Sequence, residues 1–150
     1  MNLKFIKNTE KKKILKKLNE QFGIEELHFL LIESGKEKIR AFSGHLSKKE
    51  ILKLNEILDI ELIGLYLMKY ENNEIRLSFD SIPLISSQIK KNILEISEQQ
   101  MQEWIKGHNL NLSLNEGTYV IKHENDFLGC GKSNGSNLIN YVPKDRRLKK

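Results

Sequence analysis

The chain has 150 residues, of which 39% are hydrophobic and 30% are charged, and its formal net charge is +5. This composition predicts one or two folded domains with a buried core. The longest apolar run has seven residues, at positions 62–68, which is too short to cross a membrane. A single cysteine excludes an internal disulfide. We therefore expect a soluble cytoplasmic protein without a membrane partner.

Positive charge is concentrated at the two ends of the sequence. Residues 1–22 carry seven Lys against two Glu, and residues 141–150 carry five Lys or Arg against one Asp. The middle of the chain is therefore slightly acidic. Basic ends around an acidic middle predict a polyanionic partner that is contacted at separate patches.

The first half of the chain alternates between helix and strand patterns. Thr9 is a candidate cap for a helix that reaches Phe22 and ends at Gly23. Its lysine-rich face is either solvated or a contact for RNA, and the sequence leaves both open. Residues 27–32 and 38–42 then predict a hairpin.

A second helix and a second pair of strands follow. Ser47 and Glu50 have the spacing of a capping box, so we expect a helix with Ile51, Leu54 and Leu58 facing inward. Residues 61–70 are mostly apolar, which predicts a central strand, and Asn72-Asn73 turns it into a strand over residues 74–79. Together these elements predict a small α/β domain over residues 1–86.

Residues 80–87 contain Pro83 and a serine pair and predict a boundary to a second domain over residues 87–150. This domain begins with a strand at 92–96 and a helix that Ser97 and Gln100 open as another capping box. A hairpin over 118–132 follows, and Asn134-Gly135 turns the chain into a strand over 137–142. Short strands at this spacing predict a small β-barrel, so the fold class is α+β.

The glycines of the penultimate strand and the nearby cations are the candidate contact residues. Gly129 and Gly131 lie two apart and share one face, where missing side chains would form a platform for a flat ligand or another backbone. Long basic side chains at the ends of elements suit phosphate oxygens. These candidates are Lys106, His108, Lys132, Lys144, Arg146 and Arg147.

The sequence offers poor candidates for catalysis. Cys130 lies between glycines in a strand, where a buried thiol is expected. The four histidines lack metal-ligand spacing, and no glycine-rich phosphate loop follows a strand. Trp104 is expected to anchor a core, with base stacking as the alternative. We therefore expect no catalytic residue, metal or cofactor.

Four blocks in the last third of the chain carry a resemblance to a known family. They are Trp104-Ile105-Lys106-Gly107, Gly117-Thr118-Tyr119-Val120, Leu128-Gly129-Cys130-Gly131-Lys132 and Leu138-Ile139-Asn140, followed by Pro143-Lys144. Their order and spacing resemble the PUA-like RNA-binding domain that ends the Nol/Nop/Sun (Fmu-type) RNA 5-methylcytosine methyltransferases. The chain departs from that pattern at Cys130, Ile139, Tyr141 and Asp145. The overall layout is similar to that of Nip-type ribosome biogenesis proteins.

The resemblance implies a β-barrel that binds rRNA or tRNA, and it adds Asn140 to the candidate RNA-binding residues. The catalytic domain and cysteine pair of those methyltransferases have no counterpart in this sequence. We therefore expect a non-catalytic RNA-binding protein in ribosome biogenesis or RNA modification, whose partners include a separate methyltransferase or assembly factors. The alternative is a protein–protein adaptor in ribosome assembly, in which the PUA-like part is only structural.

Overall fold

The computed structural model describes residues 2–149, which form two sheets and four α-helices. The elements in chain order are β1 (Lys4–Phe5), α1 (Asn8–Phe22), β2 (Leu30–Glu33), β3 (Lys38–Phe42), α2 (Lys48–Ile57), β4 (Leu65–Glu71), β5 (Glu74–Leu77), α3 (Ile82–Ile85), β6 (Ile93–Glu95), α4 (Glu98–Ile105), β7 (Gly117–His123), β8 (Asp126–Ser133) and β9 (Leu138–Asn140). Among residues 2–149, no helix combines the length and apolar character needed to cross a bilayer.

The first sheet is an antiparallel meander in the order β1-β2-β3-β4-β5. Asn72 and Asn73 have φ angles of 53° and 57°, as the two-residue turn between β4 and β5 requires. Helix α1 buries Ile14 and Leu18 in a core that it shares with the first sheet. The helix ends at Gly23, whose φ of 79° is left-handed. The predicted helix, hairpin and Asn-Asn turn are therefore confirmed.

The structure corrects two details of the predicted helices. Helix α1 begins after Lys7, which makes no side-chain cap, so Thr9 lies inside the helix. The capping box of Ser47 and Glu50 is present at α2, but Ile51 is the buried residue of that helix. Leu54 and Leu58 are 37% and 58% exposed, so the predicted inward face of α2 is largely solvent-facing.

The segment predicted as a loose boundary is helical. Residues 79–81 and 86–88 form short 3-10 turns on either side of α3, and the Ser78 hydroxyl accepts a hydrogen bond from the Ser81 amide. Pro83 lies in the first turn of α3, where its missing N–H leaves no helical bond unmade. Ile82 and Ile85 are buried in the N-terminal core, which explains the order of this segment.

The second sheet has the order β6-β7-β8-β9, with β6 parallel to β7 and the remaining pairs antiparallel. Helix α4 begins at the predicted capping box of Ser97 and Gln100. The free edge of β9 pairs with Leu110 through a bridge to Leu138. Since β6 is not paired with β9 in the described part of the chain, the sheet is open, and the closed barrel expected from the sequence is not formed.

The second sheet is covered on both faces. On one face, Trp104 of α4 and Leu138 belong to a C-terminal core. On the other face, Val120 and Cys130 belong to the same core as α1 and the first sheet. The N-terminal and C-terminal regions therefore share apolar packing across the predicted boundary.

Candidate nucleic-acid interface

The basic segment that follows β9 is folded back against the domain. Strand β9 ends at Asn140, and residues 144–146 form a 3-10 turn after Pro143. The Arg147 Nε donates to the Val142 carbonyl at 2.9 Å, and the Leu148 amide donates to the Ile105 carbonyl at 2.8 Å. The Leu148 bond fixes the segment to the end of α4.

The Arg147 side chain packs against Gly107 just after the end of α4. The Arg147 side chain passes so close to Gly107 that a Cβ atom there would lie 2.4 Å from Arg147 Cδ. The Arg146 guanidinium lies 2.9 Å from a carboxylate oxygen of Asp80, and this pair is about half exposed. We call the cations at this end the basic rim, which consists of Lys106, Lys144, Arg146 and Arg147.

Two other predicted contacts lie at this end, and one of them, Asn140, is structural. The buried Asn140 donates from Nδ2 to the carbonyls of Trp104 at 2.8 Å and His108 at 3.1 Å. Its Oδ1 accepts from the Val142 amide, so Asn140 ties the end of α4 to β9. The exposed His108 ring lies 2.5 Å from Glu103, and Lys106 Nζ lies 4.0 Å from the same carboxylate. Asn140 is therefore a structural residue beneath the basic rim.

The glycine face of β8 points into the protein. A Cβ atom on Gly131 would lie 2.6 Å from Trp104 Cη2, and one on Gly129 would lie 3.1 Å from Phe79 Cδ2. Both glycines are buried, and the Trp104 Nε1 donates to the Leu128 carbonyl at 2.7 Å. The two glycines share a face as predicted, but Gly131 admits the Trp104 indole and Gly129 admits the Phe79 ring, so that face is not an open platform for RNA.

Lys132 points to the opposite face of β8, toward the N-terminal region. Its Nζ lies 3.3 Å from Glu74 Oε2, and the Thr118 hydroxyl donates to the other oxygen of Glu74. Burial alone raises the pKa of Glu74, but the hydrogen bonds from Thr118 and Lys132 outweigh it and leave the pKa below its ordinary value. Next to this pair, the Arg76 guanidinium stacks 3.9 Å from the ring centre of Tyr141.

The same side of the molecule contains an open cleft of about 640 Å³ between the two regions. Its walls come from α1, the β4–β5 turn, β7, β8 and β9, and its lining includes Lys17, Asn73, Glu116, Tyr119, Asn134 and Ile139. Lys132 and Glu74 lie at one side of this cleft. The candidate residues therefore separate into the basic rim with His108, Lys132 at the cleft, and the buried Gly129, Gly131 and Asn140.

Sequence reasoning missed the group formed by Glu74, Arg76 and Tyr141, for which the chain carries no local signal. Glu74 and Arg76 both lie on β5, whereas Tyr141 follows β9, so their proximity depends on how the two sheets pack. In contrast, the expectation that Cys130 is a buried thiol is confirmed, since it is 2% exposed and burial raises its pKa to about 12. Within residues 2–149, no three His, Cys, Asp or Glu side chains are grouped so that they could hold a metal ion.

Comparisons with known proteins identify the C-terminal region. A search of curated proteins found no match to the chain. The family model described as the methyltransferase RsmF PUA domain matches residues 91–148, and no catalytic domain was matched. That range includes β6 to β9, α4 and the whole basic rim. The chain therefore carries a PUA domain of the RsmF methyltransferase type, which suggests an RNA partner.

Proposed function

We propose that this protein is a non-catalytic RNA-binding protein of the cytoplasm. Its RNA is rRNA or tRNA, and its role is in ribosome biogenesis or in directing a separate methyltransferase to its substrate. The observation that carries the proposal is the match of residues 91–148 to an RsmF-type PUA domain. Strand β9 of this domain is followed by Lys144, Arg146 and Arg147, and a backbone hydrogen bond from Leu148 to Ile105 holds this segment against α4.

The basic rim supports the proposal through its geometry. Because the backbone after Pro143 is bonded to Ile105, the side chains of Lys144 and Arg146 are presented from a fixed turn. Lysine ammonium and arginine guanidinium groups form charge-assisted hydrogen bonds with phosphate oxygens. Phosphate contacts of this kind provide affinity and register without reading base sequence. We expect the rim to hold the RNA backbone.

The most direct test of the biological role is recovery of RNA crosslinked to the protein by ultraviolet light in cells, followed by sequencing. The proposal expects enrichment of rRNA or tRNA at defined positions. A control with Lys144 and Arg146 changed to alanine is expected to recover less of the same RNA. Recovery of no RNA above an untagged background contradicts the proposal.

A second candidate function, a protein–protein adaptor, is favoured by the exposed apolar surface around α2. Ile57 is 79% exposed, Leu62 is 67% exposed and Leu58 is 58% exposed. Exposed apolar side chains that form a contiguous patch mark protein-binding surfaces. If this function is the correct one, substitution of Ile57 and Leu58 by serine reduces co-purification of assembly factors, whereas substitution of the basic rim leaves it unchanged.

A further inference from the structure

We infer that the cleft between the two regions binds one nucleotide of single-stranded RNA and selects a base with carbonyl oxygens, such as uracil, through Asn73 and Asn134. This inference rests on the proposed function, because the ligand is part of the RNA that the PUA domain binds. It assigns base recognition to the cleft and phosphate binding to the basic rim.

The size and position of the cleft fit a nucleotide. Its volume of about 640 Å³ falls within the range of roughly 300–1,000 Å³ that is typical of small-molecule sites. Lys17 of α1 and Asn73 come from the N-terminal region, while Tyr119 and Asn134 come from the PUA domain. The site is therefore formed only when both regions are packed together.

Two side-chain amides in the lining have their oxygens occupied by this chain. Asn134 Oδ1 accepts from the amides of Ser136 at 3.1 Å and Asn137 at 2.8 Å, and Asn73 Oδ1 accepts from the Tyr70 hydroxyl at 3.2 Å. Within residues 2–149, the Nδ2 groups of Asn73 and Asn134 have no hydrogen-bond acceptor. Asn134 Oδ1 is thus saturated by three bonds, including one from the Ser136 hydroxyl, and Asn134 offers its donors to a ligand, whereas Asn73 Oδ1 has accepted one bond and Asn73 offers its Nδ2 donors beside it.

Donors of this kind complement the carbonyl oxygens of a base. Uracil has two such oxygens, whereas adenine has none, and single-stranded RNA exposes these edges to proteins. Tyr119 and Ile139 supply apolar lining for the faces of a base. Pairing of both amide donors with uracil carbonyls therefore favours uracil over adenine.

The charges in the cleft are nearly balanced, which separates its role from that of the rim. Lys17 and Lys132 line it together with Glu74 and Glu116, and Glu74 is already bonded to Lys132 and Thr118. Neutralisation of phosphates gives affinity that falls with salt, whereas hydrogen bonds to a base give sequence preference. We therefore expect the cleft to set base preference and to contribute little to the salt dependence.

The test compares binding of short oligouridine and oligoadenosine to the full chain and to two variants. Asn134→Asp keeps an oxygen for the Ser136 and Asn137 amides and removes the Nδ2 donor. Asn125→Asp introduces the same charge in the exposed β7–β8 turn, outside the cleft lining. The preference for oligouridine is expected to fall by at least about threefold in Asn134→Asp and to be unchanged in Asn125→Asp.

A second readout does not depend on a variant. Titration of uridine monophosphate into isotope-labelled protein is expected to shift the side-chain NH₂ resonances of Asn73 and Asn134 and to leave that of Asn125 in place. If the wild type binds oligouridine but its preference survives Asn134→Asp and these resonances do not move, the cleft is not the base site and the proposed function stands. If the wild type binds no RNA, the proposed function and the inference both fail.

Discussion

A substitution at Gly131 tests whether the glycine face of β8 packs against Trp104 or forms an open platform for RNA. Replacement of Gly131 by alanine adds one methyl group to the buried face of β8. That methyl would lie 2.6 Å from Trp104 Cη2 and 3.0 Å from two carbons of Leu138. The indole cannot move freely, because its Nε1 is hydrogen-bonded to the Leu128 carbonyl. The change therefore overpacks the C-terminal core.

Two opposing effects set the size of the expected change. Alanine restricts the unfolded chain more than glycine does, which stabilises a protein by about 0.4–1 kcal/mol where the native backbone tolerates it. Overpacking a well-packed core costs about 1–3 kcal/mol. The overpacking is the larger effect, so we expect Gly131→Ala to lower the free energy of unfolding by about 1–2 kcal/mol.

The assay is urea denaturation followed through the fluorescence of Trp104, the single tryptophan of the chain. With a slope of about 2 kcal/mol per molar urea, the midpoint is expected to fall by roughly 0.5–1 M. Asn125→Ala, in the exposed β7–β8 turn, is the control and is expected to change stability by less than about 1 kcal/mol. A urea midpoint for Gly131→Ala at or above that of the wild type refutes the packing account. If this variant also binds RNA more weakly than the wild type, the glycine face is a platform for RNA after all.

Three further predictions concern ionisation and chemistry. Contacts with Thr118 and Lys132 hold the pKa of Glu74 below its ordinary value of 4.5. The stability that these contacts provide is therefore present above pH 4.5 and is lost as the pH falls through the lowered pKa. On acidification, the urea midpoint of Glu74→Gln should fall less than that of the wild type. The Cys130 thiol, with a pKa of about 12, is expected to resist a disulfide reagent at neutral pH until urea unfolds the protein, and fast labelling of the native state contradicts its burial. Purified protein with rRNA and a labelled methyl donor is expected to transfer no methyl group, so incorporated label contradicts a non-catalytic role.

The sequence predicts elements that depend on local signals. Ser47 and Ser97 begin helices through capping boxes because the partner residue is three positions away in each case. The turn at Asn72-Asn73 is equally local, since asparagine tolerates the left-handed conformation. Gly135 takes the expected positive φ of 99°, whereas Asn134 orders its turn through side-chain bonds to the following amides.

Features that depend on packing between distant segments are not predicted. Pro83 and the serine pair indicate a linker, but the isoleucines on either side of Pro83 and Leu84 are buried by contact with the N-terminal core. Gly129 and Gly131 indicate close approach without indicating what approaches, which is Phe79 at Gly129 and Trp104 at Gly131. The inter-region cleft depends on how the two sheets are placed, for which the sequence contains no periodic signal. The division into domains at residues 86 and 87 stays a prediction.

The central claim, that the basic rim of the PUA domain binds RNA phosphates, is tested most directly by the salt dependence of RNA affinity. Binding of single-stranded rRNA fragments is measured at several salt concentrations for the wild type, Lys144→Ala/Arg146→Ala, and Lys12→Ala/Lys13→Ala on α1. Each lost phosphate contact on a single strand reduces the slope of log affinity against log salt by about 0.7. The account predicts a reduction of roughly 1.4 for the rim variant and an unchanged slope for the α1 variant. An unchanged slope for a folded rim variant, with a reduced slope for the α1 variant, contradicts it.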